Sequence, residues 1–322
     1  MLLYHRVADL DADPQRLAVT PASFAAHLDI LSRYATPLPL DELVRRAHAG
    51  SLPERAVAIT FDDGYADNLE AAVPLLERYG LPATIFIATG AIAGGHEFWW
   101  DALDRLLLGP GTLPARVQVA IAGDVIVQDL PASAGDHERD RALWAGWHVE
   151  CAETPTPRHR LYRELCARLR QLPGEACADV IAALEAQADV APDRQSHRPL
   201  TPSAVATLGG RPGIHIGSHT MSHPSLAHLD RDDRRREITG GRHQVESWTG
   251  SPAPAFAYPF GGRRDVSADV ARAAGDAGLA IACTTAPGRV HAGTDPLRVP
   301  RCLVRNWPAD EFMQQWQTWT TR

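Results

Sequence analysis

The chain has 322 residues, 45% of them hydrophobic and 22% charged, which suits a soluble globular protein with one large core or two smaller ones. Its formal net charge of −7 carries no long block of one sign, which argues against a dedicated nucleic-acid binder. No apolar run approaches the ~20 residues that span a bilayer.

The chain starts Met1-Leu2-Leu3-Tyr4-His5-Arg6, without the basic segment, long apolar stretch and cleavage site of a signal peptide, so a cytoplasmic location is expected. Residues 2–5 read as a strand. Thr20-Pro21 then opens a helix: Thr20 caps it, Pro21 takes the first helical position, and Phe24, Leu28 and Leu31 mark its apolar face. Residues 56–61 and 83–88 are strands flanking a helix over 66–79. Further strands fit 214–217, 255–258, 279–284 and 297–304, with helices over 232–248 and 266–277. The mixed-sign run Arg231-Asp232-Asp233-Arg234-Arg235-Arg236-Glu237 reads as a solvated helix face. Seven strands with helices between them indicate an α/β protein with a barrel-like sheet.

Residues 95–199 break that rhythm. A hairpin (117–122 with 125–128, turning at Gly123-Asp124) precedes helical stretches at 159–170 and 175–187. This segment reads as a mainly helical insertion capping the barrel within a single domain of 1–322. Five cysteines, Cys151, Cys166, Cys177, Cys283 and Cys302, form no C-x-x-C pair, which points to reduced, buried thiols rather than a thiolate zinc site.

Three constellations carry chemistry. In Ile59-Thr60-Phe61-Asp62-Asp63-Gly64-Tyr65 an apolar strand ends in two carboxylates and a glycine that eases a turn. Alone, this is equally an Asp-Asp-Gly turn with a helix cap. In Ile216-Gly217-Ser218-His219-Thr220-Met221-Ser222-His223, two histidines at i and i+4 converge on one ion if the segment turns helically. Two histidines and a carboxylate complete the ligand set of a catalytic metal. In Ala255-Phe256-Ala257-Tyr258-Pro259-Phe260-Gly261-Gly262 a strand runs into a turn that can aim backbone N–H groups at an oxyanion.

Together, the Thr-Phe-Asp-Asp-Gly and His-x-x-x-His motifs, in this order and each at a strand end, resemble the NodB-like polysaccharide deacetylases of carbohydrate esterase family 4. The resemblance covers most of the chain outside the insertion. It implies a distorted (β/α)7 barrel and a divalent metal, Zn²⁺ first and Co²⁺, Ni²⁺ or Mn²⁺ as alternatives. Asp63, His219 and His223 would hold the metal, with Asp62 the general base. The family's C-terminal leucine-x-histidine, which supplies the general acid, has no clear counterpart; His291 is the nearest residue and reads as part of a loop. Leu3-Tyr4-His5 is itself leucine-x-histidine, and the chain is similar to the circularly permuted branch that includes the poly-N-acetylglucosamine deacetylases, so His5 is the expected general acid. The family's usual arginine falls on Ala257, leaving Arg298 or Arg301 to supply a cation.

The implied reaction is metal-dependent hydrolysis of an N-acyl, by expectation N-acetyl, group on a carbohydrate, with Phe260 N–H on the oxyanion. The substrate would be an N-acylated sugar, a polysaccharide or a glycan precursor. Tyr65, Tyr258, Trp99, Trp100 and Arg298 are candidates to contact it, although Trp99 and Trp100 serve equally as core anchors of the insertion. Two other readings remain at this stage: an amidohydrolase of formamides, ureides or cyclic imides on a small or nucleotide-linked substrate, and a non-catalytic sugar-binding protein.

Overall fold

A computed structural model of the chain describes residues 1–130, 139 and 142–320. It divides into two compact units. Met1–Asp9, Leu17–Gly95 and Pro199–Arg322 make the first, and Leu10–Arg16 with His96–Arg198 the second. The stretch Leu10–Arg16 therefore joins the second unit from outside the segment read as an insertion.

The first unit is built on seven parallel strands: β1 (Leu2–Tyr4), β2 (Ile59–Phe61), β3 (Ala83–Ile87), β4 (Ile214–Ser218), β5 (Ala255–Ala257), β6 (Ile281–Cys283) and β7 (Cys302–Leu303), in the order 6-5-4-3-2-1-7. Each falls inside a run expected from the sequence, save that β4 runs one residue further, to Ser218. Every residue of β1, β2 and β3 is buried, which is why these runs are mostly apolar, Thr60 and Thr84 apart, rather than alternating. The sheet curls: Val299 exchanges hydrogen bonds with Ala282 and Thr284 beside β6, while Cys302 and Val304 bond Met1 and Leu3 of the β1 side. Residues 299–304 thus link the two flanks of the sheet into a distorted barrel.

The Pro21–Tyr34 helix starts as the sequence dictates, with Thr20 Oγ1 accepting from Ser23 N–H and Phe24, Leu28 and Leu31 buried. The expected helix over 66–79 differs in its first half. Asn68–Ala72 forms a π-helical turn, with Val73 N–H reaching back five residues to Asn68 O, before a regular helix runs over Val73–Tyr79. Pro74 offers no N–H, so the register changes where a helical bond would be lost in any case. The Arg231–Thr249 helix is capped by Asp230 and ends at the left-handed Gly250.

In the second unit, Arg116–Ile121 and Asp124–Asp129 form the expected antiparallel hairpin. Its inner face packs Val117, Val119 and Ile121 against the helices Trp99–Leu107, Pro157–Leu169 and Gly174–Glu185. Glu97 is buried there between Arg105 and Arg194, and Arg194 also pairs with Asp104. Among the described residues, no helix is long and apolar enough to cross a membrane.

Candidate active site

Asp62 and Asp63 leave the end of β2, where Asp62 N–H bonds Tyr4 O on the neighbouring strand. In a continuing strand the two carboxylates would face opposite ways. Asp63 instead adopts φ 73° and Gly64 φ 89°, so the chain turns and both carboxylates approach one histidine. His219 Nε2 lies 3.5 Å from Asp63 Oδ1 and 3.9 Å from Asp62 Oδ2. His223 Nε2 lies 3.4 Å from the same Asp63 oxygen. A Cβ on Gly64 would sit 3.0 Å from the Ile87 side chain, so glycine serves both the turn and the packing.

The two histidines converge, but not on a helical turn. His219 follows β4, and the loop after it places Thr220 at φ 66° and His223 at φ 60°, with Thr220 Oγ1 accepting from His223 N–H. Two left-handed residues do the work assigned to helical periodicity. Glu237, from the Arg231–Thr249 helix, braces this loop by accepting from Met221 N–H, Ser222 N–H and Ser222 Oγ–H. The same helix approaches closely because residue 241 is glycine: a Cβ there would meet the Thr220 backbone at 2.6 Å. Of the seven described non-glycine residues with positive φ, four are Asp63, Thr220, His223 and Phe260, so backbone strain gathers at the site.

Protonation follows from the contacts. His219 Nδ1–H donates to Ala257 O at 2.7 Å, which leaves the Nε2 lone pair facing Asp63. Burial pushes the His219 pKa down to about 4, so the ring is neutral near pH 7. Burial opposes ionisation of Asp63, but His223, His5 and His219 outweigh it and hold the acid at about 2. Asp63 Oδ1 is buried without a hydrogen bond. An anionic oxygen beside an imidazole lone pair is unfavourable until a cation lies between them. The donor separations agree, since ligands 2.0–2.2 Å from a tetrahedral ion stand about 3.3–3.6 Å apart. Asp63, His219 and His223 therefore form a candidate metal site that suits a divalent ion.

Arg301 addresses Asp62. Its guanidinium is fully buried and bidentate, Nη1 to Oδ1 and Nη2 to Oδ2, both at 2.7 Å, with Nη1 also on Thr60 Oγ1 and Nε on Thr284 O. Burial works against the Asp62 anion, but Arg301 more than compensates and keeps its pKa below the usual range. Of the two arginines the sequence offered, Arg301 faces the acid; Arg298 is exposed and has no described contact with the motif residues.

His5 follows β1, partly buried, and lies in the field of both aspartates: burial lowers its pKa, while Asp63 and Asp62 pull it up. His291 is on an exposed loop, where its Nδ1 accepts from Gly293 N–H. Phe260, at φ 60°, sets its ring 5.0 Å from that of His223. Three candidate substrate contacts are core residues instead. Tyr65 is fully buried with the Arg6 guanidinium 4.2 Å over its ring, and Tyr258 is buried with its hydroxyl donated to Leu297 O, so neither ring offers a face to a ligand. Trp100 is buried and stacked on Phe98 in the second unit, and the partly buried Trp99 stands edge-on to it against that unit's core. Sequence reasoning missed Glu237, set in a run read as a solvated face. It also missed Asp265, which accepts from Ser225 Oγ–H and Gly262 N–H and ties the histidine loop to the Phe260 turn. Neither has a local signal, because each acts on a partner distant in sequence.

The sequence model of the family described as polysaccharide deacetylase matches residues 49–108 and 189–280, which include both aspartates, both histidines and the Phe260 turn. These two segments, a little under half of the chain, resemble that family. The chain is 35% identical over 108 residues to YxkH of Bacillus subtilis, a protein named for the same activity, and 31% identical over 104 residues to the poly-β-1,6-N-acetyl-D-glucosamine N-deacetylase of Staphylococcus epidermidis. These alignments cover 33% and 28% of this chain and 37% and 36% of the relatives, so the chain matches little more than a third of their length. The fold extends further. The deacetylase PplD of Streptococcus pyogenes, solved with acetate, superposes with TM-score 0.59 at 16% identity over 97% of this chain and 95% of its own. IcaB of Ammonifex degensii gives 0.57 at 15% identity over 100% and 96%. The seven-stranded sheet thus has the NodB-like (β/α)7 architecture, with β1, β6 and β7 outside the family match.

Proposed function

We propose that the protein is a metal-dependent N-deacetylase of an N-acetylated glycan, releasing acetate and a free amino sugar. The observation that carries this reading is the convergence of His219 Nε2 and His223 Nε2 on Asp63 Oδ1, beside an Asp62 carboxylate gripped at both oxygens by Arg301. Asp63, His219 and His223 would hold a divalent cation, Zn²⁺ by the nature of the donors; when bound, it supplies Lewis acidity that polarises the amide carbonyl and acidifies the attacking water.

Asp62 takes a proton from that water. Its pKa is low, which makes it a weak base, and Arg301 fixes the carboxylate so that its remaining lone pairs point one way. Phe260 N–H, at the strained turn, donates to the oxyanion of the tetrahedral intermediate. His5, whose pKa burial lowers on balance although the two aspartates oppose that, gives a proton to the amine nitrogen as the C–N bond breaks. The names of the relatives and of PplD support a glycan substrate and an acetyl group.

A product assay tests the reading. With Zn²⁺ added, a β-1,6-linked N-acetylglucosamine oligomer should yield equal amounts of acetate and primary amine, and a chelator should stop both. Amine release only from N-formyl sugars, or ring opening of a cyclic imide with no amine from either sugar, would overturn the substrate class.

A further inference from the structure

Two residues that no motif reading used lie shortly after the aspartate turn, Asp67 at the N-cap of the π-helical turn and Asn68 as its first residue. Asn68 is fully buried, and its Nδ2 donates to His5 O at 2.8 Å and to Asp67 Oδ1 at 3.3 Å. Because both partners only accept, the orientation of the amide is determined. Asp67 Oδ1 also accepts from Val7 N–H at 3.0 Å, and Asp67 Oδ2 from Arg6 Nε–H at 3.0 Å. Arg6 is itself buried, its guanidinium stacked on Tyr65.

Three consecutive residues, His5, Arg6 and Val7, are therefore each gripped by the adjacent pair Asp67-Asn68. His5 lies between β1 and the short strand Arg6–Val7, which pairs with Ala18–Val19, and its carbonyl is held by Asn68. One heptapeptide, Asp62 to Asn68, thus bears the general base, a metal-site carboxylate and the grip on the segment that carries the proton donor.

We propose that Asp67 and Asn68 are positioning residues that hold His5 in register with Asp62 across the reacting amide, a role that rests on the reading of His5 as proton donor. Loss of the grip lets His5 drift without disturbing Asp63, His219 or His223. Displacements of about 1 Å at a proton-transfer group cost on the order of 100-fold in rate.

The test is a double-mutant cycle on the β-1,6-linked N-acetylglucosamine oligomer with Zn²⁺, using Asn68→Ala and the isosteric Asn68→Asp, each alone and combined with His5→Ala. Each single Asn68 variant should lose roughly 10–100-fold in kcat, with KM and bound Zn²⁺ near wild type. In the His5→Ala background the same changes should cost less than about twofold, because the group they position is gone. Equal losses in both backgrounds would mean that Asn68 acts independently of His5 and would overturn the proposal. Unchanged kcat in His5→Ala alone would instead overturn the proton-donor reading. A measurement free of turnover covers the other outcomes: Asp67→Ala should speed hydrogen exchange at Val7 N–H while leaving that of Asp62 N–H, bonded to Tyr4 O, as it was. Unaltered exchange at Val7 would show that the grip does not exist.

Discussion

At the level of single residues, the site separates two adjacent carboxylates by their partners. Asp63 looks toward two imidazoles and Asp62 toward one guanidinium, and a single left-handed residue, Asp63 itself, creates the division. Asp62→Asn should therefore lower kcat by about 10²–10⁴-fold while bound metal, measured by elemental analysis, stays near wild type. Retained turnover would remove Asp62 from the base role. Arg301 gives a prediction in which the sign is informative. It is the main influence holding the Asp62 pKa down against burial, so Arg301→Lys, with no bidentate fork, lets burial raise it. The base must be ionised to work, so the acidic limb of the kcat/KM profile should move to higher pH. A limb that stays in place, or moves to lower pH, would show that Arg301 does not set the base. Arg301→Ala goes further, leaving a buried anion without its partner at a cost of about 3–5 kcal/mol.

Among the elements, the histidine loop shows what sequence periodicity conveys and what it omits. The i, i+4 spacing brought the two candidate ligands together as neighbours, because a tight four-residue return brings such side chains together. It did not specify the return, which depends on left-handed Thr220 and His223, on the brace from Glu237 and on the room left by Gly241. β1, β2 and β3 were legible because parallel strands buried on both faces are largely apolar runs. The break in the 66–79 helix was not, since Pro74 marks a lost helical bond but not the π register that Asn68–Ala72 takes in space. The same limit explains Tyr65 and Tyr258: beside the motifs in sequence, they turn into the core in space. Glu237→Ala tests the brace. It orphans two backbone N–H groups and a hydroxyl, and metal affinity by titration calorimetry should fall about 10–100-fold with the fold intact by circular dichroism. Unchanged affinity would reduce Glu237 to a surface charge. Gly241→Ala presses on the same loop from the helix side and should cost about 1–3 kcal/mol.

For the stability of the first unit as a whole, the informative group is a histidine outside the site. His27, on the Pro21–Tyr34 helix, is fully buried and lies flat on Phe312 of the Ala309–Thr320 helix, ring centroids 4.0 Å apart. Its Nε2–H donates to Trp307 O, and its Nδ1 accepts from Tyr4 O–H on β1, so one neutral tautomer joins two helices to the sheet. Burial pushes its pKa down to about 4 against 6.5 for a free histidine. The sign follows from proton counting. Between these values the unfolded chain binds the proton and the folded one does not, so this contribution is complete above pH 6.5 and is lost as the pH falls toward 4. The loss amounts to roughly 3 kcal/mol. His27→Leu removes the titration but leaves Tyr4 O–H and Trp307 O without their partner, so the variant should be less stable than wild type at pH 7.5 by about 1–3 kcal/mol. As the pH drops to 4 only the wild type pays the protonation penalty, and urea midpoints of the two proteins should converge and then cross. Parallel curves from pH 7.5 to 4 would show that His27 is charged in the folded state, and the neutral junction between the helices and β1 would have to be abandoned.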